Sequence, residues 1–98
     1  MYRSNSYDEK LSKKLKNPNF AQEYLLGLIE GDEGLSIEDA LRLAIQRMGI
    51  TDFANMIGLP KSNIAEFLNG KRNLKRETLD RYLLPFNLKT ELVVKKAA

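Results

Sequence analysis

Glycine and proline cut this chain into pieces too short for anything but small helices. Asn17-Pro18 opens one segment, and Gly31 with Gly34 closes it. Gly49, Gly58 and Gly70 end the next three, and Pro85 ends the last. Between the breaks, apolar residues recur at three- and four-residue spacing, which puts them on one face of a helix. Residues 17–30 turn Phe20, Tyr24, Leu25, Leu28 and Ile29 inward, with Asn17 as cap and Pro18 at the first helical position. Ser36 caps a second helix, with Asp39 three residues on, and Ile37, Leu41, Ala44, Ile45 and Met48 line its inner face. Thr51 is the expected cap of a turn and a half carrying Phe53, Ala54 and Ile57. Residues 61–69 turn Ile64, Phe67 and Leu68 inward, and residues 74–84 do the same with Leu79, Tyr82 and Leu83. The fold class predicted is all-α, with five helices.

With 98 residues the chain builds one domain with one modest core. Its ends depart from the helical pattern. Residues 1–16 read as a flexible polar arm, in which Tyr7, Leu11 and Leu15 form one stripe if the segment becomes helical. From residue 88 the period changes to two, with Leu88, Thr90, Leu92 and Val94 on one side, so residues 88–98 read as a strand-like tail. A strand needs a neighbour for its backbone groups, and no other segment reads as one. The expected organisation is thus an arm (1–16), a helical domain (17–87) and a tail (88–98).

The chain has no cysteine and no histidine. Disulfides, thiolate catalysis and cysteine-bound zinc are excluded, and the usual metal ligand and general base are missing. The carboxylates fall on caps and exposed helix faces. The expectation is a protein that is not an enzyme and uses no cofactor or metal. No apolar stretch is long enough for a membrane span, and residues 1–16 lack an apolar signal core, so a cytoplasmic location is expected.

Charge is segregated along the chain. Residues 1–16 carry five bases and two acids. Residues 23–39 carry six acids, Glu23 and Glu30 among them, and no base. Residues 61–76 carry Lys61, Lys71, Arg72, Lys75 and Arg76 against Glu66 alone. A basic segment in a small domain suits a polyanion, and an acidic one suits a basic protein; solvated helix faces are the plainer alternative for both.

Residues 51–70 bring these features together as a helix-turn-helix. Gly58 supplies the positive φ of the turn, Ala54 is small where the helices cross, and Leu59 and Ile64 are the buried pegs. The start of the second helix, Lys61-Ser62-Asn63, would face the major groove of DNA. Asparagine pairs with adenine through two bonds, lysine reaches guanine or phosphate, and serine is permissive. Lys71, Arg72 and Lys75 follow directly and suit phosphate contact. Glu66 reads as a solvated residue at the edge of this face, because a carboxylate accepts from cytosine but repels phosphate.

Gly49-Ile50-Thr51-Asp52-Phe53-Ala54, then 57–64 from Ile57 and Gly58 through Pro60 to Ile64, then Leu68-Asn69-Gly70, resembles the Xre-type, lambda-repressor-like helix-turn-helix proteins. With Tyr7-Asp8, Leu15-Lys16-Asn17-Pro18, Tyr24-Leu25 and Glu30-Gly31-Asp32 added, the chain is similar to the HigA-like addiction-module antitoxins over about residues 7–88. The resemblance implies a dimeric repressor of its own operon that binds double-stranded operator DNA and neutralises a RelE/HigB-like toxin. The partner-facing residues expected from the arm and the acidic segment are Tyr7, Leu11, Leu15, Glu23 and Glu30. Dimerisation is expected to use the tail. Asp52 stands where the wider family often has a phosphate-binding glutamine, and Leu68 where it often has glutamate. A free-standing phage-type repressor, or an inhibitor that uses the helices only as a scaffold, remains open; the basic run at 61–76 speaks against the last.

Overall fold

The Asn17 side chain accepts hydrogen bonds from the backbone N–H groups of Asn19 (2.9 Å) and Phe20 (3.3 Å), and Pro18 occupies the first helical position. This cap opens a helix where the local chemistry predicts it. In the computed structural model, which describes residues 9–32, 34–91, 94 and 96, all regular structure is helical. The helices are α1 (Glu9–Leu15), α2 (Pro18–Glu30), α3 (Ile37–Met48), α4 (Ile50–Ile57), α5 (Lys61–Leu68) and α6 (Arg76–Leu83), followed by a 3-10 turn at Leu84–Phe86. None of them is long and apolar enough to cross a membrane.

Two caps follow the local pattern and one does not. Ser36 Oγ accepts the N–H of Asp39 at 3.1 Å and starts α3. Gly49 then closes α3 and opens α4 in a single residue. Its N–H donates to the carbonyl of Ile45 at 2.8 Å, while its own carbonyl accepts from the N–H of Phe53 at 3.1 Å. At φ 103° glycine alone takes this corner without strain. So α4 begins at Ile50, two residues earlier than a cap at Thr51 implies, and Thr51 lies inside its first turn rather than capping it. The final helix is likewise shorter than the 74–84 expected, and Pro85 sits buried in the 3-10 turn behind it.

The apolar faces converge on one core. Leu25, Leu41, Ala44, Ile45, Met48, Phe53, Ile64, Phe67, Tyr82 and Phe86 are fully buried. Each large apolar side chain so buried stabilises the fold by about 1.5–3 kcal/mol before entropy is counted. Aromatic rings join the later helices. The Tyr82 ring lies 5.5 Å from Phe53 and meets Phe67 nearly edge-on at 5.2 Å, and Phe86 stands 6.3 Å from Phe53. The Tyr82 hydroxyl is buried with no hydrogen-bond partner among the described residues. Burial pushes its pKa up, and the nearby Arg72 charge acts the other way.

The segment expected to be a flexible arm is in part a structural helix. Residues 9–15 form α1, which packs against α2 and α3. Leu15 is fully buried, and the buried Ser12 Oγ donates a 2.6 Å hydrogen bond to the carbonyl of Met48, at the last turn of α3. The break at Asn17 reverses the chain, so α1 lies back on α3 and satisfies a carbonyl that the helix end leaves open. Tyr7 lies outside the described residues.

The tail also departs from expectation. None of its described residues, 88–91, Val94 and Lys96, is in a strand. Asn87 adopts a left-handed turn at φ 55°, a conformation asparagine tolerates better than most residues, and sends the chain back onto α6. The N–H of Leu88 donates to the carbonyl of Leu83 at 3.2 Å. The Asp80 carboxylate accepts both the N–H (2.6 Å) and the hydroxyl (2.7 Å) of Thr90, and Arg76 Nε donates to that hydroxyl at 3.2 Å. Asp80 therefore takes the backbone donor that a strand partner would have used. The Thr90 N–H above all, then its hydroxyl, holds the Asp80 pKa below the ordinary aspartate value. Leu92, Val93 and Lys95 lie outside the described residues.

Candidate nucleic-acid interface

Two eight-residue helices, α4 and α5, meet across a turn at residues 58–60. Gly58 sits in the left-handed region at φ 68°, and its N–H donates to the carbonyl of Ala54 at 2.9 Å. This is the glycine-capped helix end that local sequence predicts. Pro60, at φ −62° and ψ 144°, holds the extended position from which α5 starts. Its carbonyl accepts from the N–H groups of Asn63 (3.1 Å) and Ile64 (3.4 Å). Ala54 and Ile57 are buried and Ile64 has no exposed surface, so the facing sides of the two helices are in the core; Leu59, expected as a peg, is only half-buried.

The outer side of this unit carries the candidate residues. Lys61 and Ser62 are exposed at the start of α5, and Asn63 beside them is half-buried. No side chain caps α5, so its first N–H groups remain available to an acceptor outside the helix. Lys71, Arg72 and Lys75 are exposed in the loop between α5 and α6. Gly70, at φ 75°, turns the chain out of α5, and the N–H of Lys71 donates to the carbonyl of Glu66 at 2.9 Å.

Three polar contacts shape the surface further. Lys61 Nζ reaches the Thr51 hydroxyl at 3.4 Å, and Lys16 Nζ lies 3.4 Å from the Asp52 carboxylate. The first turn of α4 thus stands between two lysines, one from each side. Arg72 is paired: its Nε and Nη2 donate to Glu66 Oε1 at 3.0 and 2.6 Å. Glu66 is therefore an ion-pair partner rather than a merely solvated edge residue.

Arginines set the frame behind the site. Arg42 of α3 stacks its guanidinium 4.5 Å from the centre of the Phe67 ring and donates to the Phe67 carbonyl at 2.8 Å. Arg81 of α6 donates to the carbonyls of Ile57 (2.9 Å) and Gly58 (3.3 Å). Sequence reading missed Lys16, Arg42 and Arg81 as parts of this unit. Their only local signal is a lone cation, on a regular helix for Arg42 and Arg81 and in the turn after α1 for Lys16, and each partner is remote in the chain.

The acidic candidates lie elsewhere. Glu23 and Glu30 are exposed on α2, with no ion pair among the described residues, whereas Asp39 is paired with Arg42 at 3.1 Å. Leu11 is half-buried and packs on the core. Leu15, expected to face a partner, is a core residue with no exposed surface, and in this fold nothing outside the domain reaches it. No known protein family, curated protein or solved structure matches the chain.

Proposed function

We propose that this chain is a sequence-specific DNA-binding repressor of the Xre type, with a lambda-repressor-like helix-turn-helix made by α4 and α5. The observation that carries this reading is the pair of helices crossing at a left-handed Gly58, buried on one side and exposing Lys61 and Ser62 at an uncapped helix start on the other. A helix start lined by short polar donors suits base edges in the major groove, and Lys71 and Lys75 beyond its far end suit phosphates. One such unit reads few base pairs. The reading therefore includes a two-fold dimer on a palindromic operator, with recognition helices roughly 34–36 Å apart.

The proposal extends to an antitoxin that neutralises a RelE/HigB-like toxin. Glu23 and Glu30, exposed and without an ion pair among the described residues, support this half, because a nuclease that holds RNA presents cations. The test of the first half is binding to a labelled duplex taken from immediately upstream of the chain's own coding sequence. The expected preference over a scrambled duplex at physiological salt is at least about 10³-fold. Equal affinity for both duplexes would reject sequence-specific repression. For the second half, the small protein encoded beside this one is expected to co-purify with the wild type and to be lost from a Glu23→Lys, Glu30→Lys variant. Unchanged co-purification would remove α2 from that interface.

A further inference from the structure

The Glu66–Arg72 pair lies within the unit read above as DNA-binding, and stability gives it little purpose. Both side chains are about half-exposed, 50% for Glu66 and 44% for Arg72, and pairs so open to water contribute little to folding. Its position is more informative. Glu66 follows Ser62 by four residues and Asn63 by three, so it shares their helix face one turn further along. The loop after Gly70 is tied to the same residue twice, through the N–H of Lys71 on the Glu66 carbonyl and through Arg72 on the Glu66 carboxylate.

We infer that Glu66 and Arg72 form one composite base reader: Glu66 positions the guanidinium, and Arg72 recognises a guanine in the major groove rather than a phosphate. This inference rests on the DNA-binding reading of α4 and α5. A guanidinium has five N–H donors, and Glu66 takes the Nε–H and one from Nη2. Both Nη1 hydrogens and the second on Nη2 stay free among the described residues, and the parallel pair, one from each Nη, is the edge that matches the O6 and N7 acceptors of guanine. Charge argues the same way. A phosphate is attracted by net positive charge, which Glu66 cancels, and its own carboxylate would face that phosphate. The neutral acceptor edge of a base needs aligned donors instead. A carboxylate that fixes the guanidinium plane supplies that alignment before DNA arrives, reducing the ordering cost of contact.

The experiment is selection of bound sequences from a random double-stranded DNA pool by the full chain, followed by affinities on the selected duplex and on each single-base variant. The wild type is compared with Glu66→Gln, Arg72→Lys and Arg72→Ala, with far-ultraviolet circular dichroism to confirm folding. All three variants are expected to lose preference at the same G·C pair, by about 5- to 150-fold, while preference at the other positions is kept. Arg72→Lys is decisive because it keeps the charge and loses the fork. If Glu66→Gln instead tightens binding to every duplex alike and leaves the preferred sequence unchanged, Glu66 is an electrostatic brake on Arg72 and the inference is overturned. It is also overturned if Arg72→Lys binds like wild type, since Arg72 is then a phosphate contact. In both of those cases the DNA-binding reading survives. Failure of the wild type to retain any duplex removes the reading and the inference together.

Discussion

Arg81 reaches across from α6 and donates its Nε–H to the carbonyl of Ile57 at 2.9 Å, closing the end of α4 where the helix leaves its carbonyls unpaired. Its Nη2 also reaches the carbonyl of Gly58, at 3.3 Å. The turn that sets the crossing of α4 and α5 is therefore held by a residue 23 positions later in the chain. A cation at a helix C-terminus also complements the helix dipole.

Replacing Arg81 with alanine is expected to cost about 1–3 kcal/mol in chemical denaturation, because charge-assisted bonds to two carbonyls are lost. Gly58→Ala is expected to cost about 1–2 kcal/mol, since φ 68° is unfavourable for a residue with a Cβ. The new Cβ would also lie 3.4 Å from Arg81 Nη2. Both variants should lose operator affinity beyond what their unfolded fraction explains. Wild-type affinity from the folded fraction of either would separate the turn from DNA recognition.

The placement of α1 changes what an N-terminal deletion reports. Removing residues 1–16 takes away the fully buried Leu15 and the Ser12 bond to Met48, and is expected to destabilise the domain by at least about 3 kcal/mol. Ser12→Ala alone should cost about 1–2 kcal/mol. Thermal unfolding by circular dichroism checks both. A deletion that unfolds at the wild-type temperature would mean that α1 contributes nothing to the core.

Asp80 gives a pH dependence with a defined sign. Its folded pKa is lowered by the bonds from Thr90, so its contribution is present above the unfolded aspartate value and disappears as pH falls through the folded value below it. The contact of the tail with α6 should be constant between pH 5 and 8 and open only below about pH 4. Asp80→Asn should open it at neutral pH. Amide hydrogen exchange at Thr90 reads this directly: equal protection in wild type and variant at pH 7 would show that the carboxylate does not hold the tail.

Tyr82 is expected to tolerate loss of its hydroxyl. That group is buried without a partner among the described residues, so Tyr82→Phe removes an unpaired polar atom and keeps the ring contacts with Phe53 and Phe67. Stability should be unchanged or higher by up to about 1 kcal/mol. A loss above about 1 kcal/mol in urea titration would mean that the hydroxyl is bonded after all.

On DNA, Lys71→Ala and Lys75→Ala should weaken binding to all sequences alike, each lowering the salt slope by about one per site occupied. Asn63→Ala should instead cost about 1–3 kcal/mol on the preferred site and relax one base pair. Anisotropy titrations over a range of salt distinguish the two behaviours. An unchanged slope in both lysine variants would take the loop off the backbone, and equal losses on preferred and random duplexes would remove Asn63 as a reader.

The beginnings and ends of most helices were legible in the residues themselves. A cap acts over two to four residues, so Asn17, Ser36 and Gly58 state their conformation locally, and the apolar period between them states which face turns inward. The exposed start of α5 followed from the same two signals. What the tertiary structure alone decided is which distant groups meet. Ser12 and Met48 lie 36 residues apart, Arg42 and Phe67 lie 25 apart, and nothing in the pattern of either segment names its partner. Leu15 reads as a partner-facing stripe residue because periodicity gives a face but not what that face packs against. The tail read as a strand because alternation was its strongest local signal, yet the turn at Asn87 brought Thr90 to a carboxylate on α6. Short-range hydrogen bonds belong to the sequence. Long-range ones depend on crossing angles, which exist only once the core has packed.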